Sequence, residues 1–253
     1  MIQLIIRADD IGYSEAVNYG IAKTVREGLV RSAGVMPNMP AAAQGLALLK
    51  GTGISLGQHT NICLGSPCAD PAAIPSLLDG DGRLKSSRTY REAYKNGEEF
   101  TVLEEMVLEV EAQYKRFLAL AGRQPDYFEA HAVANNTLSR ALEIVAGRYG
   151  LRYNAMNPMQ AVGSFCGKPI AALPMRSMEP DYDPLQCLKE GLAGARQDMP
   201  NVAVFHPGYL DAYLLTHSSL TVNRTKEVDM LCDPATRAWL EEQNVEQIGY
   251  KDL

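Results

Sequence analysis

The strongest constraint on this chain is an alternation packed into its first sixty residues. "QLIIRA" is β-rich and stops on two adjacent carboxylates, Asp9 and Asp10; Ser14 then caps an amphipathic segment with Val17, Ile21 and Val25 on one face and Gly28 at its end. "SAGVMP" (32–37) reads as a second strand, the Ala/Leu-rich stretch from Ala41 to Lys50 as a second helix, and "GISLGQH" (53–59) as a third strand. Strand, helix, strand, helix, strand in so short a span implies parallel pairing with right-handed crossovers. The sheet is therefore doubly wound or closed into a barrel.

Beyond Thr60 the alternation is interrupted. Residues 60–96 are rich in Gly, Pro, Ser and Asp and too long for a bare link, which predicts a lid or a binding loop. A long helix follows, with Thr101 and Glu104 as a capping box, an apolar stripe of Leu103, Val107, Val110, Tyr114 and Phe117, and Gly122 to stop it. "DYFEAH" (126–131) reads as a strand and 137–149 as a helix. The stretch 157–185 is ambiguous and reads as another long loop, "NVAVFHPGY" (201–209) as a late buried strand, 234–243 as a helix, and "VEQIGY" (245–250) as a closing strand.

With 253 residues, 46% of them hydrophobic and 21% charged, one substantial core suffices, and a single domain over 1–253 is expected. A net charge of −6 with scattered basic residues excludes nucleic acid and anionic membrane as partners and favours a small neutral or polar substrate. No stretch approaches the roughly 20 apolar residues of a membrane span, and no basic-then-apolar leader opens the chain, so a cytoplasmic protein is expected. Five cysteines without Cys-x-x-Cys spacing suggest neither a disulfide framework nor a zinc-thiolate site.

The chemistry gathers at strand ends. Asp9 and Asp10 end the first predicted strand, His59 the third, His131 the "DYFEAH" strand and His206 the "NVAVF" strand. In parallel α/β sheets that edge is where ligands bind. A single aspartate there more often caps a turn, and a single histidine is more often structural. Convergence is what counts: residues 10, 59 and 131 are brought together by neighbouring parallel strands, and one carboxylate with two imidazoles is an open ligand set suited to Zn²⁺ or another divalent ion. Adjacent aspartates point to opposite faces unless the backbone turns. A division of labour accounts for them economically: one holds a cation, the other takes a proton from water. His206, fixed by the following Pro207 and Gly208, is either a general acid or a structural residue in a turn, and His217 is a loop or surface residue. Arg224 and Glu227 read as a surface ion pair one helical turn apart. No nucleophile elbow, phosphate loop or H-E-x-x-H helix is present.

Taken together, "ADDIGYSEAVNYGI", "GLVRSAGVMPNMP", "LGQHTNICLG", "IPSLLDGDGRL", "FEAH", "HPGY", "RTKEVDML" and "IGYKDL" resemble, in order and over nearly the whole chain, the YdjC-like carbohydrate deacetylases. The resemblance implies an irregular, TIM-like (β/α) barrel with its active site at the C-terminal strand ends. It also implies a divalent metal, Zn²⁺ or Mg²⁺, a small carbohydrate substrate from which an N-acetyl group is removed, and a homodimer. By position it implies Asp10, His59 and His131 as metal ligands, Asp9 as catalytic base and His206 as acid. The chain departs from the family pattern around the third ligand, where Glu129 precedes His131, Val133 follows it and Asn135 replaces a histidine found in many members. Two rival expectations stay open: a glycosidase pairing Asp9 or Asp10 with Glu129, and a sugar-binding barrel without catalysis.

Overall fold

A computed structural model describes residues 1–155 and 161–253. At its centre is β1 (Ile2–Ile11), whose residues alternate between two cores. Leu4, Ile6 and Ala8 face the helices with Val17, Ile21 and Leu46, whereas Ile5 lies in an inner cluster with Tyr127, Phe165, Val202 and Tyr250. Arg7 and Asp9 continue the row of Ile5 by the period of two. Polar residues of one strand face are thus stacked above an apolar floor inside the sheet.

The expected run follows: α1 (Glu15–Arg26), β2 (Ser32–Val35), α2 (Ala42–Leu49) and β3 (Ser55–Thr60). Ser14 caps α1 by accepting from the Val17 amide at 3.3 Å. The connection after Thr60 contains α3 (Ser87–Asn96), capped by Ser86 and ended by left-handed Gly97. α4 (Leu103–Ala121) stops at left-handed Gly122 as expected, but its start differs from the expected capping box. Thr101 gives its amide and its hydroxyl to Glu99 instead, leaving Val102 at the cap without a side-chain bond.

β4 (Tyr127–Ala130) and α5 (Asn136–Tyr149) are followed by β5 (Asn154–Ala155), β6 (Val162–Phe165), β7 (Lys168–Ala172), α6 (Pro184–Ala193) and β8 (Asn201–Phe205). The expected loop over 157–185 is therefore in part an antiparallel hairpin; residues 157–160 lie outside the described residues. α7 (Ala212–His217), α8 (Val222–Cys232), α9 (Pro234–Glu242) and β9 (Val245–Ile248) complete the order.

The strands run β4-β3-β2-β1-β8-β7-β6-β5, with β1 to β4 mutually parallel and β8 parallel to β1 and β7. The two ends meet where Phe128 bridges Tyr153 and its amide donates to the Arg152 carbonyl at 3.0 Å. The sheet is thus a nearly closed barrel, irregular where β5 to β7 are antiparallel. β9 pairs residues 2–5 of β1 and β2 pairs residues 7–11, so the two share the edge of β1 opposite β8.

The long 60–96 connection is tied down. Buried Glu109 of α4 accepts from the Cys68 and Ala69 amides at 3.0 and 2.8 Å, and Glu105 from the Ser76 amide at 2.7 Å. Among the described residues no helix is long and apolar enough to cross a membrane.

Candidate metal centre

The paired aspartates stand where β1 breaks its register. Asp10 has φ +83°, and the pairing with β2 shifts between Ala8 and Ile11. A non-glycine residue in that conformation costs about 1–2 kcal/mol. The turn brings both carboxylates to one side: Asp9 Oδ2 lies 3.8 Å and Asp10 Oδ1 3.6 Å from the same His59 Nε2. The alternation that would have separated the two neighbours is broken at the residue that needs it broken.

His59 at the end of β3 and His131 just past β4 meet edge to face, with ring centres 4.8 Å apart. His131 Nδ1 is 2.9 Å from His59 Nε2 and 3.3 Å from Asp10 Oδ1. These three atoms form a triangle with edges of 2.9, 3.3 and 3.6 Å. Ligands held at about 2.0–2.2 Å from one ion subtend edges of this size. Asp10 Oδ1 is buried and accepts no hydrogen bond among the described residues, while Oδ2 takes a bond from Arg224 Nη2 at 2.7 Å. One oxygen is anchored and the other is free to bind an ion. The residues fit a divalent cation.

The charges agree with that fit. Burial works against ionisation of Asp10, but Arg224 and the two imidazoles outweigh it and hold the carboxyl well below the usual range. Burial also disfavours charge on the imidazoles, yet Asp9 and Glu129 drive His59 well above its ordinary value, and the adjacent Asp10 and Cys63 raise His131 to about 9. This pocket of carboxylates demands positive charge, and a cation would supply it in place of imidazole protons.

Asp9, His59 and Glu129 form a second close group of acidic and imidazole atoms. Arg7 closes it: its Nη2 sits 2.7 Å from Asp9 Oδ2 and 3.5 Å from Glu129 Oε2. A fixed guanidinium thus holds the position that a second ion would need. Arg7 Nη1 also donates to the Tyr250 hydroxyl at 3.3 Å, which accepts from Asn154 at 2.9 Å. The remaining oxygen of Glu129 binds His59 Nδ1 through a very short contact, fixing that ring so that Nε2 faces Asp10. The departure at Glu129 therefore supports His59 rather than His131. Asn135, another of the departures, caps α5 by accepting from Leu138 at 2.7 Å and donates to Glu99.

Asp9 keeps Oδ1 buried and without a hydrogen-bond partner among the described residues. Burial opposes its charge, but Arg7 and His59 lower its pKa below the ordinary value. Gly34 on β2 makes room for it: a Cβ there would stand 2.7 Å from Asp9 Oδ1 and 3.1 Å from His59 Cβ. His206, just past β8, has a buried and unbonded Nδ1. Its burial and the nearby Arg224 push the imidazole down to about 4 against the pull of Asp10 and Asp9, so it rests neutral. His217 is outside the group, exposed at the end of α7 with its ring stacked 4.1 Å from Tyr213.

One expectation is overturned. Arg224 and Glu227 are not a surface ion pair but lie 2% and 0% exposed, each with partners other than the other. The helix that carries them packs that face inward, against α1 and the end of β8. Arg7 is the contributor that strand-end reasoning passes over. Its signal is a charge two residues before Asp9 in an otherwise apolar strand, on the face the period of two assigns to Asp9.

Comparison with known proteins bears out the motif resemblance. The YdjC-like protein family model matches residues 3–242. Carbohydrate deacetylase 2 of Listeria innocua is 30% identical over 258 residues, spanning 100% of this chain and 99% of its own. A carbohydrate deacetylase of Brevibacillus brevis is 28% identical over 265 residues and 100% of both chains. Among solved structures, a protein of Enterococcus faecalis described as a cellobiose-phosphate cleavage protein superposes with TM-score 0.82 at 22% identity, covering 99% of this chain and 98% of its own. A family 4 acetyl xylan esterase of Clostridium thermocellum, in complex with a cobalt ion, gives TM-score 0.52 at 10% identity over 99% and 89%. These two likenesses concern the barrel alone.

Proposed function

Since this chain belongs to the YdjC-like family, we propose that it is a metal-dependent hydrolase that removes the acetyl group from an N-acetylated amino sugar or short oligosaccharide. The observation that carries the reading is the convergence of Asp10, His59 and His131, with Asp9 turned into the same mouth by the bulge at Asp10. The curated relatives named carbohydrate deacetylase support the substrate class.

In this reading Asp10 Oδ1, one nitrogen of His59 and one of His131 hold the ion, Zn²⁺ or Mg²⁺. When bound, it supplies Lewis acidity toward an amide carbonyl and makes water a stronger acid. Asp9 is kept ionised by Arg7, and its free Oδ1 accepts the proton of the attacking water. His206, neutral at rest, takes up a proton from solvent during turnover and passes it to the departing amine, and Asp9 returns to solvent the proton it took from water. Water's hydroxyl ends on the acetyl carbon, the carbon–nitrogen bond breaks, and acetate and a free amino sugar leave.

The glycosidase alternative is disfavoured by the partners of Glu129. Glu129, the carboxylate common to both pairings, with Asp9 or with Asp10, has one oxygen on His59 Nδ1 and the other 3.5 Å from Arg7 Nη2, so it is not free to act on a glycosidic bond. The reading also carries a single-domain, homodimeric, cytoplasmic enzyme; sedimentation velocity of the purified protein tests the dimer.

Acetate release from N-acetylglucosamine oligomers, measured with chelator and with Zn²⁺ or Mg²⁺ restored, tests the function. Activity should vanish on chelation and return with metal. Asp10→Ala should bind no ion, whereas Asp9→Asn should bind it and lose turnover. Full activity in Asp9→Asn would remove Asp9 from the role of base.

A further inference from the structure

Pro207 has no amide hydrogen, and three backbone groups of the turn after β8, from His206 and Gly208, find their partners on one helix. The His206 amide donates to Glu227 Oε2 at 2.6 Å, the His206 carbonyl accepts from Arg224 Nη1 at 3.2 Å, and the Gly208 amide donates to the Arg224 carbonyl at 3.3 Å. A turn held at these three groups, and by the Tyr209 amide donating to the Ala16 carbonyl of α1 at 3.1 Å, has little freedom to move. α1 presses it from the other side, where a Cβ on Gly20 would come within 2.5 Å of Gly208 Cα.

Both clamping side chains are themselves held. Arg224 spends its remaining nitrogens on Asp10 Oδ2, at 2.7 Å, and on the Leu220 carbonyl, at 3.0 Å. Glu227 Oε1 accepts from the Tyr182 hydroxyl at 2.9 Å. One guanidinium therefore ties the anchored oxygen of Asp10 to the peptide of His206, and a carboxylate one helical turn along fixes the other side of that peptide.

We infer that Arg224 and Glu227 are a positioning pair that sets His206 relative to the metal carboxylate Asp10. The inference rests on the proposed reaction for its catalytic meaning, though not for its geometry. A purely architectural role would lower stability and ion binding together. A positioning role separates them, because Glu227 touches the His206 peptide but no ion ligand.

Glu227→Gln tests the separation. Supporting groups of this kind are worth about 10–100-fold in activity. Zn²⁺ affinity should stay within twofold of wild type while kcat for acetate release from the N-acetylglucosamine dimer falls at least tenfold with KM within twofold. The ring ¹⁵N resonances of His206 should shift. Arg224→Lys, which cannot bridge two acceptors with a fixed fork, should lose both Zn²⁺ affinity and kcat. Should Glu227→Gln not fold, Tyr182→Phe, which removes only the hydroxyl bracing Glu227, should reproduce the kcat loss more weakly. In Glu227→Gln, wild-type kcat with unshifted His206 resonances, or losses of ion affinity and turnover in equal measure, would overturn the pair. A wild-type protein that released no acetate would sink the deacetylase reading alone, since ion affinity and the His206 resonances would still decide the positioning.

Discussion

Asp10 adopts a conformation that side chains avoid, at φ +83°, and by doing so it brings two neighbouring carboxylates to the same His59 nitrogen. Aspartate tolerates this region better than most residues because its short polar side chain bonds locally. The pairing of Asp9 with Asp10 at a strand end is legible in the sequence; the side to which each points is not, because it depends on a register shift against β2 that only tertiary structure fixes. Gly34 is equally silent as a letter. Its missing Cβ leaves the space occupied by Asp9 Oδ1 and the β-carbon of His59. Gly34→Ala should displace both, and displacements of about 1 Å near reacting groups cost on the order of 100-fold in rate. Steady-state acetate release alongside a thermal melt checks this: a kcat within twofold of wild type would show that Asp9 has room to yield.

The elements of the first sixty residues follow their hydrophobic period, and their bounds shift by only one to three residues. α3 and α8 are harder to read for different reasons. α3 buries only Tyr90 and Ala93 and follows a Gly/Asp-rich turn that looks like loop. α8 places Arg224 and Glu227 on its buried side, so charges that usually mark a solvent face mark the opposite one. That placement gives α8 a pH signature. Burial, only partly offset by bonds from His206 and Tyr182, raises the Glu227 carboxyl from 4.5 to about 7. A raised carboxyl pKa means that the native state holds the proton more tightly than the unfolded chain. Its stabilising contribution is full below about 4.5 and is lost as pH rises through about 7. Glu227→Gln cannot titrate, so urea midpoints measured across pH 4.5 to 7 should fall less steeply with rising pH than in wild type. Parallel slopes for the two proteins would assign the dependence to other groups.

At the scale of the molecule, strand–helix alternation discloses an α/β sheet but not how it closes. Closure depends on the antiparallel β5–β7 region, in a Pro-, Met- and Gly-rich stretch with no clear period, and on the meeting of Phe128 with Tyr153. The three ligand candidates come from three separate parallel segments of that barrel, so an ion would bind the native chain and not the unfolded one. Binding at a hundredfold excess over Kd adds about 2.7 kcal/mol of stability. Saturating Zn²⁺ should therefore raise the Tm of the wild-type protein by several degrees and leave that of Asp10→Ala where it was. Equal shifts in both would place the ion elsewhere.

Tyr250 gives the barrel a further property. Its hydroxyl meets Arg7 across a sequence separation of 243 residues, and Arg7 in turn fixes Asp9 and Glu129. Contacts of such span form only after the intervening chain has been gathered, because the entropy of closing the loop must be met first. The buried guanidinium therefore gains its full set of partners late in folding, whatever order the helices follow. A chain collapsed around its first three strands would carry every candidate ion ligand but His131, and the Arg7 that binds its Asp9 would lack both Glu129 and Tyr250. The support beneath the candidate site is thus completed from the two ends of the chain.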